Sequence, residues 1–175
     1  MYTPPFTTTA KAVNLVAEIY SQIERYAIRL EQEDSLRLRK INRIKTIHSS
    51  LAIEGNALSE NQVQEIMEGR TVIAPPKEIQ EVKNAIRAYE LYPSLNPFSM
   101  KDLLRTHGVM MQNIIDDAGH FRRGGVAVFE GERCIHMAPP ADRVPTLIHN
   151  LLEWTEKAED NMLIRSCVFH YEFEY

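Results

Sequence analysis

Apolar residues along this chain recur for long stretches at alternating steps of three and four, the spacing that lines one face of an α-helix. The clearest stripe is Val13, Val16, Tyr20, Ile23, Ala27 and Leu30, behind Thr8 and Thr9, either of which can cap a helix N-terminus. A second stripe, Ile41, Ile44, His48 and Leu51, follows the acidic residues Glu31, Glu33 and Asp34 and passes through the basic run Arg37 to Lys45. Glu33 and Arg37 stand at the spacing of a helical ion pair, so the helix is expected to continue or restart there. Gly55-Asn56 stops the pattern, since both residues tolerate a left-handed backbone. Ser59 followed by Gln62 reads as a capping box for a short helix ending at Gly69. Pro75-Pro76 precedes a helix with Ile79, Val82, Ile86 and Tyr89. After Pro93 and Pro97, Ser99 caps one with Leu103, Leu104, His107, Met110, Met111 and Ile114.

Only "GGVAVFEGERCIHMAPP", Gly124 to Pro140, alternates with the period of a strand: Val126 and Val128 before Gly131, Ile135 and Met137 after it. A single hairpin is marginal alone, so it must lean on helices or await a partner strand. Val144, Leu147, Ile148, Leu151 and Leu152 mark another helix, and a last helical pattern runs from Asn161 to Tyr175. The fold class is therefore mainly α with one β-hairpin. There is no internal repeat.

Composition narrows the classes of function. The 175 residues are 44% hydrophobic, with no apolar run long enough for a bilayer, so no membrane association is expected. "MYTPPFTTTA" lacks the basic-then-apolar layout of a signal peptide, and Cys134 and Cys167 make no disulfide framework, which fits a reduced cytoplasmic setting. A net charge of −4 argues against general nucleic-acid affinity. The basic run is split by Leu38, Ile41 and Ile44 and reads as a solvated helix face before it reads as a nucleic-acid contact. No two of the six histidines share an i,i+3 or i,i+4 spacing, so no metal site is expected within these residues. Walker, Rossmann and nucleophile-elbow patterns are absent.

Glu54 is the residue that composition does not explain. It lies one turn above Ser50, near the line of Ile47 and Leu51, on the side of the helix expected to face the core. A carboxylate at a helix C-terminus is disfavoured by several tenths of a kcal/mol, and an unpaired buried charge costs about several kcal/mol. Either Glu54 is a frayed end reaching water, or it waits for a cation, for which arginine has the best geometry.

The stretch Ser50 to Gly55, "SLAIEG", resembles the inhibitory pattern [S/T]-x-x-x-E-[G/N] of Fic-domain proteins, in the subgroup whose inhibitory helix precedes the catalytic core. Four further segments are similar to that family in the order it requires: "LLRTHGVMM", "DAGHFRRGGVAVF" with its A-G-x-[FY]-R element, "HMAPPADRVPTLIHNLLEW", and "IRSCVFHYEFEY". The family's H-x-F-x-[D/E]-G-N-G-R-x-x-R signature is expected just beyond Tyr175. His170 sits in the preceding helix without the following glycines and does not match the catalytic histidine. The resemblance implies a Fic-type helical bundle with a hairpin flap, divided as an N-terminal helical region with the inhibitory helix (1–70) and a core (71–175) lacking its active-site loop.

That resemblance also implies an activity, namely transfer of AMP from ATP to a hydroxyl of a target protein, with Mg²⁺ as the metal. The ligands of ATP and Mg²⁺, and the catalytic residues, would lie mostly outside these residues, so the stretch alone is expected to be inactive. Ser50, Glu54 and Gly55 would gate the nucleotide, Glu54 by pairing with an arginine of the missing signature. Val126, Val128, Ile135 and Met137 would dock the target as an added strand. Family resemblance further implies a homodimer as one possible assembly, and leaves the transferred group and the direction of reaction open. The main alternative is a non-catalytic interaction module from a split or degenerate Fic protein; a nucleic-acid-binding regulator using Arg37 to Lys45 ranks below it.

Overall fold

The computed structural model of the chain describes residues 2–30 and 35–174, and the side chains of all of these except 28–30 and 35–39. The expected pairing of Glu33 with Arg37 lies outside the described residues. Seven α-helices and two strands follow in order: α1 (Ala10–Leu30), α2 (Ser35–Ile53), α3 (Glu60–Met67), α4 (Pro76–Leu91), α5 (Met100–Met110), β1 (Ala127–Glu130), β2 (Arg133–Met137), α6 (Val144–Lys157) and α7 (Met162–Glu174). The chain is mainly α with one antiparallel hairpin, as its periodicity implied.

Local chemistry sets these boundaries. Thr9 caps α1, its hydroxyl accepting the N–H of Ala12 at 3.2 Å. Ser59 and Gln62 form a complete capping box at the start of α3, and Pro76 occupies the first turn of α4, where a missing N–H costs nothing. Asn161 opens α7, its side-chain oxygen accepting the N–H of Leu163 at 3.0 Å.

Two compact units result. One comprises Tyr26–Leu95 and Asp102–His120. Its core is Ile44 and Ile47 from α2, Leu58, Val63 and Ile66 around α3, and Val82 and Ala85 from α4. Each fully buried aliphatic side chain of this kind contributes about 1.5–3 kcal/mol of transfer free energy. Two asparagines enter the interior with every polar atom engaged. Asn84 donates to the carbonyls of Met110 (3.0 Å) and Gln112 (2.8 Å) and accepts from Gln80 (2.8 Å), which fastens the end of α5 to α4. Asn56 donates to the Glu78 carbonyl (3.1 Å) and to Glu81 (2.8 Å), and accepts the N–H of Leu58 (3.1 Å). Two residues of the basic run find partners inside this unit, while Lys45 is exposed. Lys40 pairs with Glu68 at 2.9 Å, and Arg43 donates to the Ile86 carbonyl at 3.1 Å with Glu90 at 3.8 Å.

The other unit comprises Met1–Arg25, Asn96–Lys101 and Phe121–Tyr175. Leu151, Leu152 and Trp154 of α6 are its buried hydrophobic residues, with Pro4 buried as well and Phe6 meeting the Trp154 ring edge-on at 5.9 Å. Arg165 of α7 donates to the carbonyls of Thr155 (2.8 Å) and Ala158 (2.9 Å) and so caps the C-terminal end of α6 with a cation. The α1 stripe behaves differently from its pattern: Val13, Tyr20 and Ile23 remain about half exposed, so the periodicity makes a helix without making a core.

Candidate functional site

The C-terminus of α2 is closed by paired backbone bonds. Gly55 takes a left-handed backbone (φ +87°), its N–H bonds the Ala52 carbonyl at 3.1 Å, and the N–H of Asn56 reaches back to the Leu51 carbonyl at 3.0 Å. Glu54 is thereby the last residue before the left-handed turn. Both Ser50 and Glu54 are exposed, which corrects the expectation that Glu54 faces the core. The stripe that buries Ile44 and Ile47 ends a turn earlier, and the inward positions beyond it pass to Asn56 and Leu58. Ile53, next to Glu54, is 83% exposed, so Ser50, Ala52, Ile53 and Glu54 are open while Leu51 packs against the core.

Helix α3 ends in the same way and supplies an internal comparison. Gly69 is left-handed (φ +74°), its N–H bonds Ile66, and Arg70 bonds back to Glu65, so Glu68 occupies the position in α3 that Glu54 occupies in α2. Glu68 is gripped by Gln64 (3.0 Å), Lys40 (2.9 Å) and Arg70 (2.6 Å). Those hydrogen bonds, Gln64's foremost and then Lys40's, hold its carboxyl below the ordinary carboxylate range. The Glu54 carboxylate has no hydrogen bond or ion pair to any described residue.

Within the same unit, α5 and the segment after it are drawn together backbone to backbone. A Cβ on Gly108 would stand 3.3 Å from the Gly119 Cα, and one on Gly119 would stand 3.3 Å from both the Gly108 Cα and the Leu104 carbonyl oxygen. Gly119 has φ +82° and donates its N–H to Nδ1 of His107 at 2.9 Å. This accounts for the Ala118-Gly119 pair in the A-G-x-[FY]-R element: the position excludes a side chain twice, by conformation and by space.

Arg122, the arginine of that element, belongs to the hairpin's unit. Its guanidinium donates to the Gly124 carbonyl at 2.7 Å and to the Pro139 carbonyl, so it ties the entry of β1 to the exit of β2. Nothing in the sequence singles it out as a tie, since both of its acceptors are main-chain carbonyls.

β1 and β2 pair antiparallel, Ala127 with Met137, Val128 with His136, Phe129 with Cys134 and Glu130 with Arg133, around Gly131-Glu132. The register skips Ile135, which is left as a bulge in β2. Val126, Val128, Ile135 and Met137 are all at least half exposed. Phe129, which the alternation of Val126 and Val128 passed over because it falls on the other face, is 60% exposed. The hairpin residues belong to one unit, and Ser50, Glu54 and Gly55 to the other.

The N-terminal arm lies against α6 and α7. Tyr2 donates its hydroxyl to the Glu172 carboxylate on α7, and its phenol is pushed up to about 12, first by desolvation and then by that hydrogen bond and charge. Tyr2, Glu172, Pro139, Arg143, Leu147 and Leu151 help line a cavity of about 290 Å³. Among the described residues, no group of three or more His, Cys, Asp or Glu side chains converges to hold a metal ion. No described helix is long and apolar enough to cross a membrane.

A mainly helical scaffold with one exposed, arginine-tied hairpin is the class of molecule these features define. Residues 97–175 match the Fic/DOC family, so the chain carries a Fic/DOC domain over that stretch. It superposes on a Fic family protein from Desulfovibrio desulfuricans G20 with a TM-score of 0.92 and 48% identity, over 99% of this chain and 54% of that one. It also superposes on a Fic-1 from C. elegans with a TM-score of 0.62 and 22% identity, over 93% of this chain and 53% of that one, a likeness of fold alone. The chain thus spans about half the length of these structures. No curated protein sequence matches it.

Proposed function

We propose that the protein to which this chain belongs transfers AMP from ATP to a hydroxyl of a target protein, and that Glu54 restrains the reaction. The observation that supports this reading is the contrast between two chemically equivalent helix ends. Glu68 has three partners, whereas Glu54, one turn above Ser50 in a Fic-like inhibitory pattern, is left with its carboxylate unpaired among the described residues. A carboxylate held in one place by a helix cap and open on all sides is suited to take an arginine in bidentate fashion.

ATP and Mg²⁺ supply the transferred group and charge neutralisation in such a reaction. The residues described here do not fit either ligand, since they offer no convergent acidic cluster and no glycine-rich phosphate loop. The hairpin is proposed to receive the target as an added strand through backbone bonds.

The test is ATP-dependent self-labelling of the full-length protein with and without Glu54→Gly. Labelling is expected to rise in the variant. Unchanged labelling would remove the restraint assigned to Glu54. The rival reading, a non-catalytic binding module, predicts no labelling in either form together with hairpin-dependent capture of a partner.

A further inference from the structure

The two open edges of the hairpin are not equivalent. In β2 the bulge at Ile135 interrupts the spacing of backbone groups, a device that blunts a strand edge against pairing. In β1 the four residues Ala127–Glu130 run without interruption. The Val126 carbonyl accepts the N–H of Ala138 at 3.0 Å, so Val126 bonds inward. By the alternation of an antiparallel ladder, Val128 and Glu130 also bond inward, and Ala127 and Phe129 turn their N–H and C=O groups to the open edge.

Cross-strand partners share a face, so the register separates the side chains into two sets. Ala127, Phe129, Cys134 and Met137 make one face, wholly apolar apart from the thiol, on which Phe129 is 60% and Met137 74% exposed. Val128, Glu130, Arg133 and His136 make the other, which is mixed. Charge is distributed along the β1 side as well, with exposed Arg123 at its base and exposed Glu130 and Glu132 at its tip, where Arg133 stands opposite Glu130 on β2 and leaves the tip net acidic. β1 itself spans about 10 Å at strand rise, already more than the Debye length of about 8 Å in physiological salt, so a charge at its base and one at its tip each select their own neighbour.

We propose that β1 is the edge that receives a partner, and that it selects an extended segment of protein with an apolar side chain beside Phe129, a basic residue at the tip and an acidic one at the base. This rests on the reading of the hairpin as a docking strand and adds to it the edge, the face and the direction of charge. Phe129 is the specificity-determining residue. In an antiparallel arrangement the bound segment runs from tip to base, with its basic end first.

The experiment titrates ¹⁵N-labelled protein with two synthetic nonapeptides. Both carry lysines at the N-terminal end, glutamates at the C-terminal end and threonine between, with valine at every second central position in one and serine in the other. The valine peptide is expected to shift the amides of Ala127 and Phe129 and to bind about tenfold more tightly than the serine peptide, since burying one aliphatic side chain contributes more than the 1.4 kcal/mol that a factor of ten requires. Phe129→Ser, at an exposed position that leaves the fold intact, is expected to abolish that difference. Equal affinity of the two peptides for the unaltered protein would overturn the selection by Phe129 while leaving strand addition in place. Shifts confined to β2 would overturn the choice of edge. Hairpin amides that respond to neither peptide would overturn strand addition itself.

Discussion

His107 holds the backbone N–H of Gly119 on its Nδ1 at 2.9 Å, across a contact in which Gly108 and Gly119 meet Cα to Cβ-position at 3.3 Å. An accepting ring nitrogen carries no proton, so this bond fixes the proton of a neutral His107 on Nε2. The segment leaving α5 is thus held at two points, by this close main-chain approach and by the buried Asn84 side chain on the Met110 and Gln112 carbonyls.

Gly119→Ala is expected to destabilise the protein by about 1–3 kcal/mol, because a non-glycine residue is strained at φ +82° and its Cβ would press on the Leu104 carbonyl. Urea unfolding followed by circular dichroism measures this. A midpoint unchanged from that of the unaltered protein would mean that the backbone relaxes at no cost.

Arg122 is the only side chain described here that bonds both ends of the hairpin, and its two acceptors are main-chain carbonyls. Arg122→Ala is expected to raise amide hydrogen exchange through β1 and β2 by about tenfold or more, since each charged hydrogen bond contributes about 1.5–3 kcal/mol, while α3 and α4 keep their protection. Exchange rates in the hairpin that do not move would show that the strands hold their register without the tie.

Tyr2 supplies a pH dependence whose sign follows from its neighbour. Desolvation and the Glu172 carboxylate favour the neutral phenol, so its folded value of about 12 stands above the ordinary 10.0. Its contribution to stability is fully present below pH 10 and is lost as pH rises toward 12, where the unfolded chain has already released the proton. Ultraviolet titration of tyrosinate absorbance is expected to show a late component near pH 12 that Tyr2→Phe removes. A titration curve whose late limb is the same in the variant would assign that limb to another tyrosine.

The helices and their ends were legible because their causes are local. Thr9, the Ser59–Gln62 box, Pro76 and Gly55 each act within four residues of themselves, and the 3.6-residue stripe names which side chains share a face. Whether a face is covered is a tertiary fact. The stripe of α1 and that of α2 read alike, yet Ile44 and Ile47 are buried while Val13 and Ile23 stand half exposed. Glu54 was misplaced for a related reason: it stands one turn above Ser50, on a line that is already exposed inside the helix, so lying near the line of Ile47 and Leu51 did not carry it inward. The bulge at Ile135 had no signal in residue type, and its effect was to set Met137 opposite Ala127 and His136 opposite Val128. The tie made by Arg122 was equally silent, because its acceptors are carbonyls that any residue would supply.

The twin caps of α2 and α3 bear on how such proteins should be searched for in genomes. Glu-Gly occurs at both helix ends of this one short chain, each time because a left-handed residue must follow the last turn. The pair therefore carries almost no information about regulation, and a text pattern built around it will collect ordinary helix ends by the thousand. What separates Glu54 from Glu68 is the company each keeps: a serine one turn back and no cation among the described residues for the first, a glutamine, a lysine and an arginine for the second. A discriminating query would score the absence of nearby positive partners as heavily as the presence of the acid, treating an unanswered charge as the signal.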